Sequence, residues 1–383
     1  MDLFSLIDWN NVDWDKVGAL ATVAAIVFAI PGFLLGLRSI RRGLTRIEHQ
    51  NEEGVAALKK LALIRRVSDG DQNALWSRPL SFDGIDEYHS LMESAIPIVT
   101  FMNFKGGVGK TTIAGNFAAD CSAKGERVLA IDLDYQGSLS SLFLGHARIT
   151  DEQTLDESQQ LGAQILQGQH DGNWLKMVAK AVSSDLPKLK YIPTTYDLAD
   201  VENRLMIKWL IDESNGDVRL YLAKILLSAD IQESYDRIII DTGPRPTTAM
   251  INALCTSTHF VLPTILDSMS ASSVRNTLSQ VKRLKPVICP HINFVGIIGS
   301  MTTHQDPGKF SANEQPVIGE LRSGATQAFG HGDHFLDNCN VGDQAAIAVA
   351  AGKKLAYFEN GTSRTMFEAL GEEIRRRAPS KTS

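Results

Sequence analysis

Phe104-Lys105-Gly106-Gly107-Val108-Gly109-Lys110-Thr111-Thr112 lies one residue beyond the apolar run Ile96-Pro97-Ile98-Val99-Thr100-Phe101-Met102. The apolar run predicts a strand, and the residues from Lys110 to Lys124 predict a helix closed by Gly125. Between them, three glycines leave the backbone bare, so that its N–H groups can wrap a phosphate chain at the start of the helix. The stretch predicts a nucleotide site, set between a strand and a helix.

Outward from this loop the strand–helix alternation repeats. Val128-Leu129-Ala130-Ile131-Asp132-Leu133-Asp134 predicts a second strand, and others are expected at Tyr191 to Pro193, Arg237 to Asp241, His259 to Pro263 and Phe294 to Ser300. Short apolar runs alternating with helices argue an α/β fold, a doubly wound and mostly parallel sheet covered on both faces. The site then belongs at the carboxyl ends of those strands.

The loop Gly106, Gly107, Val108, Gly109, Lys110, Thr111 and Thr112 is the candidate cofactor-binding segment. Lys110 is placed to neutralise the β- and γ-phosphates, and Thr111 to ligate Mg²⁺ through its hydroxyl. Two later strands end in acids: Asp132-Leu133-Asp134-Tyr135-Gln136-Gly137, and Ile238-Ile239-Ile240-Asp241-Thr242-Gly243-Pro244. Asp241 is expected to hold Mg²⁺ through a water.

The common pattern G-x-x-x-x-G-K-[ST] is not met, because Phe104 stands where its first glycine belongs, and a second lysine, Lys105, follows. The arrangement K-G-G-x-G-K-T-T resembles the deviant Walker A motif of the ParA/MinD family of dimerising ATPases, and the likeness runs from about Ile96 to Leu370. It implies a P-loop NTPase fold, ATP and Mg²⁺ as cofactors, and a homodimer formed with ATP. Lys105 would reach across that dimer to the other subunit's nucleotide. The resemblance also implies that Asp134 positions the attacking water and that Asp132 serves metal binding or loop organisation. Tyr135 departs from the family's usual proline, and Gly243 from its proline pair. From Asn338 to Lys353 the likeness is loose, and no adenine contact is assigned there.

The amino-terminal part has a different character. Residues 1–16 form a short acidic segment with Asp2, Asp8, Asp13 and Asp15. Val17 to Leu37 then holds no charged residue, and its 21 positions make a helix of roughly 30 Å, enough to cross a bilayer core. Arg38, Arg41, Arg42 and Arg46 follow at once, which favours the cytoplasmic side. The expectation is a single-pass protein of a bacterial inner membrane with its N-terminus outside. Residues 38–94 read as a cytoplasmic helical stalk and linker, and 95–383 as the ATPase domain. Gly32-x-x-x-Gly36 has the spacing at which membrane helices approach, although glycine is common in such helices.

A net charge of −6 does not indicate a general nucleic-acid binder, although a local basic surface for DNA stays open. Cys121, Cys255, Cys289 and Cys339 are too scattered for a zinc site or a disulfide framework. Gly330-His331-Gly332-Asp333-His334 reads as a polar loop, and Arg375-Arg376-Arg377 as a solvated helix end. The expected function is a membrane-tethered, ATP-dependent dimerising switch, a slow ATP hydrolase stimulated by an unknown protein partner that it recruits or positions. The alternative is an ATP-binding sensor or adaptor with little turnover, in a defence or secretion system. A tyrosine kinase fits less well, because no tyrosine follows Tyr357.

Overall fold

The computed structural model describes residues 73–80, 82–150, 161–211, 216–304, 306–342, 355–359 and 361–380, with six helical positions between 54 and 65. The acidic start, the expected membrane run Val17 to Leu37 and most of the stalk lie outside the described residues. Among the described residues no helix is long and apolar enough to cross a membrane.

The chain divides into two units, residues 1–74 and 75–383. In the first, the described side chains of Val55, Leu58 and Leu61 are exposed. The second begins ahead of the boundary expected at residue 95, for a physical reason. Leu75 and Trp76 are buried, Trp76 stacks on Trp209, and Arg219 donates to the carbonyl of Trp76 at 3.2 Å. Helix α1 (Ile85–Ser94) buries Tyr88 and Met92, and the Tyr88 hydroxyl donates to the carbonyl of Cys255 at 2.6 Å.

Among the described residues eight strands form one sheet in the order β3-β4-β2-β5-β1-β6-β7-β8. The inner ones are β1 (Ile98–Phe101), β2 (Val128–Leu133) and β5 (Arg237–Thr242), every residue of which is buried. On one side lie β4 (Leu189–Ile192) and β3 (Lys180–Ala181), the latter antiparallel. On the other lie β6 (His259–Ile265), β7 (Asn293–Thr302) and β8 (Val341–Gly342), all parallel. The two-residue edge strands escaped the sequence reading because such short pairs carry no periodicity.

The helices that matter to the site are α2 (Lys110–Ala123), α3 (Ser138–Thr150), α4 (Asp197–Ile211), α5 (Thr248–Thr256) and α6 (Ser268–Ile288). Helices α7 (Gln315–Phe329) and α8 (Gly361–Arg377) follow. Helix α2 is buried almost throughout, since it lies in one core cluster with strand residues and with Phe367, Leu370 and Ile374 of α8. Each such large side chain contributes about 1.5–3 kcal/mol by leaving water. Gly371 permits this approach: a Cβ there would collide with the Asp120 side chain.

The Arg375–Arg377 run is not simply a solvated end. Arg375 pairs with Asp120, whose side chain is fully buried, and Arg377 donates to Asp333 at 2.7 Å and to the carbonyl of Val295 at 3.0 Å. These arginines bind the last helix to the core and to the 330–334 loop. Arg376, by contrast, is exposed and pairs with Glu373.

Candidate nucleotide site

Strand order builds the site. Strands β2, β5 and β1 are neighbours, with Asp132 opposite Asp241 and Phe101 opposite Asp241 in register. The segments leaving their carboxyl ends therefore meet. A cavity of about 490 Å³ opens there, lined by Gly106 to Thr112 together with Asp134, Gln136, Ser138, Ser141, Leu142, Pro244 and Met301. Gly107 (φ 71°) and Gly109 (φ 82°) take left-handed conformations that side chains disfavour. Ser300, at the end of β7, supports the loop by donating to the carbonyl of Val108 at 2.7 Å.

Lys110 is buried and its Nζ donates to the carbonyl of Lys105 at 3.1 Å. Burial lowers its pKa, opposed by the charges of Asp241 and Asp134. The Thr111 hydroxyl lines the cavity and donates to Oδ2 of Asp241 at 2.6 Å. Oδ1 of Asp241 is buried, and among the described residues it has no hydrogen-bond partner. Burial first, then Asp132, pushes the Asp241 carboxyl up to about 8, against the pull of Thr111 and Lys110. A buried carboxylate oxygen without a donor, behind a threonine hydroxyl at a cavity wall, is a donor set suited to a hard cation.

Of the two roles expected for Asp132, metal binding or loop organisation, its hydrogen bonds favour the second. Its Oδ2 accepts from the N–H of Ser140 at 2.8 Å and its hydroxyl at 2.7 Å, and Oδ1 accepts from the N–H of Asp134 at 3.1 Å. It organises the loop after β2. Burial pushes its pKa up to about 7 despite these bonds. Asp134 lines the cavity, its Oδ1 accepting from the N–H of Gln136 at 3.1 Å. Gly243 leaves it room, since a Cβ there would stand 3.3 Å from Asp134 Oδ1.

Lys105 does not point away from its own chain. Its Nζ donates to Ser270 at 2.7 Å and lies 3.7 Å from Asp267, the N-cap of α6. Asn103 accepts from the N–H of Lys105 at 3.0 Å and from Ser273 at 3.3 Å, and Thr277 accepts from the N–H of Phe104 at 3.3 Å. Ser270, Ser273 and Thr277 share one face of α6, so a hydroxyl ladder holds the loop's leading half. No local pattern in the sequence marked these partners, which lie more than 160 residues away.

Two other segments prove structural. Asn340 accepts from the N–H of Gly308 at 2.8 Å and donates to the carbonyl of His304 at 2.8 Å, so its amide is committed to the loop after β7. In the 330–334 loop, Asp333 serves Arg377, and the His334 ring stacks on Phe294.

A glycine-bent loop between β1 and α2, its lysine and threonine, and a buried acid at the end of the adjacent strand together define a P-loop ATPase. A family model described as an AAA domain matches residues 96–294, just over half of the chain. The chain belongs to that family, within its ParA-like P-loop ATPases. It is 32% identical over 206 residues to the chromosome-partitioning ATPase Soj of Treponema pallidum, covering 53% of this chain and 70% of the relative. It is 31% identical over 191 residues to a candidate replication protein A of Rhizobium rhizogenes, covering 49% of this chain. The chain spans about half the length of such rhizobial relatives, 45% and 47% in two of them. In fold it is similar to McdA of Cyanothece without ligand, with a TM-score of 0.57 and 18% identity over 73% of this chain and 99% of that one.

Proposed function

We propose that this protein is a Mg²⁺-dependent ATP hydrolase that closes into a homodimer with ATP, working as a switch that recruits or positions a partner at a membrane. The observation that carries the ATPase reading is the unpartnered buried oxygen of Asp241 beside the Thr111 hydroxyl. The names of relatives support it: one is a chromosome-partitioning ATPase, and a McdA variant is known as an ATP complex. Partitioning and positioning are related tasks, which favours a positioning switch here.

In this reading the N–H groups of Gly106 to Thr111 cradle the phosphates, and Lys110 exchanges its bond to the Lys105 carbonyl for the β- and γ-phosphate oxygens. Thr111 and Asp241 would hold Mg²⁺, which would supply positive charge against the phosphates and the leaving ADP. Asp134 orients the water that attacks the γ-phosphorus, giving ADP and inorganic phosphate. Lys105 leaves Ser270 and engages the nucleotide of the second copy.

Membrane tethering rests on the uncharged run Val17 to Leu37 and the arginines after it. The full chain is expected to resist carbonate extraction from membranes, with its ATPase unit protected from protease in closed right-side-out vesicles. Turnover is expected to be slow, to require Mg²⁺ and to vanish in Asp134→Ala. Full turnover in EDTA would overturn the hydrolase mechanism, and release of the intact chain by carbonate would overturn the anchor.

A further inference from the structure

Among the described residues of α4 none lines the nucleotide cavity, yet the helix and the residue leading into it touch both loops that border it. Tyr196, just ahead of the helix, packs against Tyr135 with ring centroids 6.1 Å apart, and Tyr135 is the neighbour of Asp134. Arg245, from the loop after β5, donates to the Tyr135 hydroxyl at 3.4 Å. Further along the helix comes Glu202, a carboxylate residue only 7% exposed. Its Oε1 accepts the N–H of Ala249 at 2.7 Å, in the first turn of α5, and its own carbonyl accepts from the Thr248 hydroxyl at 3.3 Å. Burial raises the Glu202 pKa, while hydrogen bonds from Thr247 and Ala249 draw it back.

A buried carboxylate that accepts a free N–H at a helix start makes a strong, charge-assisted anchor. Here it holds one end of a short loop. Gly243 to Thr247 begins at the end of β5, beside Asp241, and finishes at α5, where Glu202 grips it. In between, Gly243 passes so close to Asp134 that a single added carbon would crowd its carboxylate. The place of this loop therefore sets the space available to Asp134, and Glu202 sets the place of the loop.

We propose that Glu202 is a positioning residue for ATP turnover, fixing the Gly243–Thr247 loop against Asp134 through the N-terminus of α5. It rests on the ATPase reading above and names a residue outside the cavity that controls the chemical step. A mere helix cap would alter stability and nucleotide affinity together. A positioning residue alters kcat while leaving the phosphate cradle intact.

The test compares the full-length chain with Glu202→Ala, Glu202→Gln and Thr247→Val, measuring kcat, mant-ATP affinity and hydrogen exchange of residues 243–250 with and without Mg-ATP. Glu202→Ala is expected to lower kcat about 10- to 100-fold with affinity within about twofold, since a displacement of about 1 Å at a reacting centre costs that much. Glu202→Gln should recover most of the rate, because its amide oxygen accepts the same Ala249 N–H. Mg-ATP should slow exchange in the wild type and in Glu202→Gln, and not in Glu202→Ala. Unchanged kcat in folded Glu202→Ala, or kcat and affinity falling in step, overturns the proposal. If Glu202→Ala does not fold, Thr247→Val decides: a rate equal to wild type overturns it, and a fall of about threefold or more at unchanged affinity upholds it. A wild type with neither turnover nor ATP-induced protection removes the ATPase reading itself. A wild type that turns over beside an unaffected Glu202→Ala removes only the role of Glu202.

Discussion

Replacing Ser270 by alanine tests how Lys105 is controlled. In the structure its ammonium donates to Ser270 at 2.7 Å and stands 3.7 Å from Asp267. Lys105 is 30% and Asp267 46% exposed, so water screens the pair and the ion pair itself contributes little. The hydrogen bond to a charged group, discounted for that exposure, comes to about 1 kcal/mol. Releasing Lys105 becomes easier by that amount, about fivefold in population. A symmetric dimer releases two lysines, so Ser270→Ala is expected to tighten the ATP-dependent dimer by up to about 25-fold. The Asp267 contacts stay, which makes this an upper bound. Sedimentation velocity over a range of protein concentration, with ATPγS and Mg²⁺ in detergent, reads the dimer constant directly. A constant that is unchanged or weaker in Ser270→Ala, with the monomer still folded, refutes the idea that Ser270 competes with the dimer for Lys105.

Three further outcomes follow from other parts of the molecule. Asp241→Asn should abolish the Mg²⁺-dependent part of ATP binding while affinity in EDTA stays within about twofold, as calorimetry with and without the cation would show. Arg375→Met leaves the buried Asp120 carboxylate uncompensated; urea unfolding should show a loss of about 3–5 kcal/mol, partly restored by adding Asp120→Asn. His259 is held neutral, its pKa lowered to about 4 by burial and then by Arg237. Since the unfolded chain takes up this proton first, its contribution to stability is complete above about pH 6.5 and is lost as pH falls towards 4. His259→Gln should therefore flatten the decline over that window by about 2–3 kcal/mol in urea titrations.

The inner strands and the phosphate loop were legible because both are local signals: continuous apolar runs for strands buried on both faces, and glycines at a helix start. Lys110, Thr111, Asp134 and Asp241 came with them, being fixed by position along a strand end or loop. What was not legible depends on the chain returning from a distance. Nothing near Lys105 announces Ser270, which lies 165 residues further along the chain. The burial of Trp76 was hidden similarly, because it finds its partners in Trp209 and Arg219, far along the chain. The terminal arginines looked solvated for the same reason: Asp120 belongs to another helix.

These geometries bear on what kind of switch the molecule can be. A latch of about 1 kcal/mol on Lys105 holds only a small bias, since moving a two-state balance from one extreme to the other takes about 5.5 kcal/mol. Most of the discrimination must come from ligand. The nucleotide site has the means: burial pushes the pKa values of Asp241 and Asp132 up and that of Lys110 down, so each charge there carries a desolvation cost that a bound counter-charge would offset. In the proposed function a cation and a triphosphate would relieve that cost only while bound, which would make their affinity for the closed arrangement the main driving term. Were the proposed anchor at residues 17–37 to hold, confinement to a membrane would raise the effective concentration of second copies as well. A weak latch then suffices, because it need only prevent association of empty chains, and a stronger one would hinder the ATP-bound chains that are meant to meet.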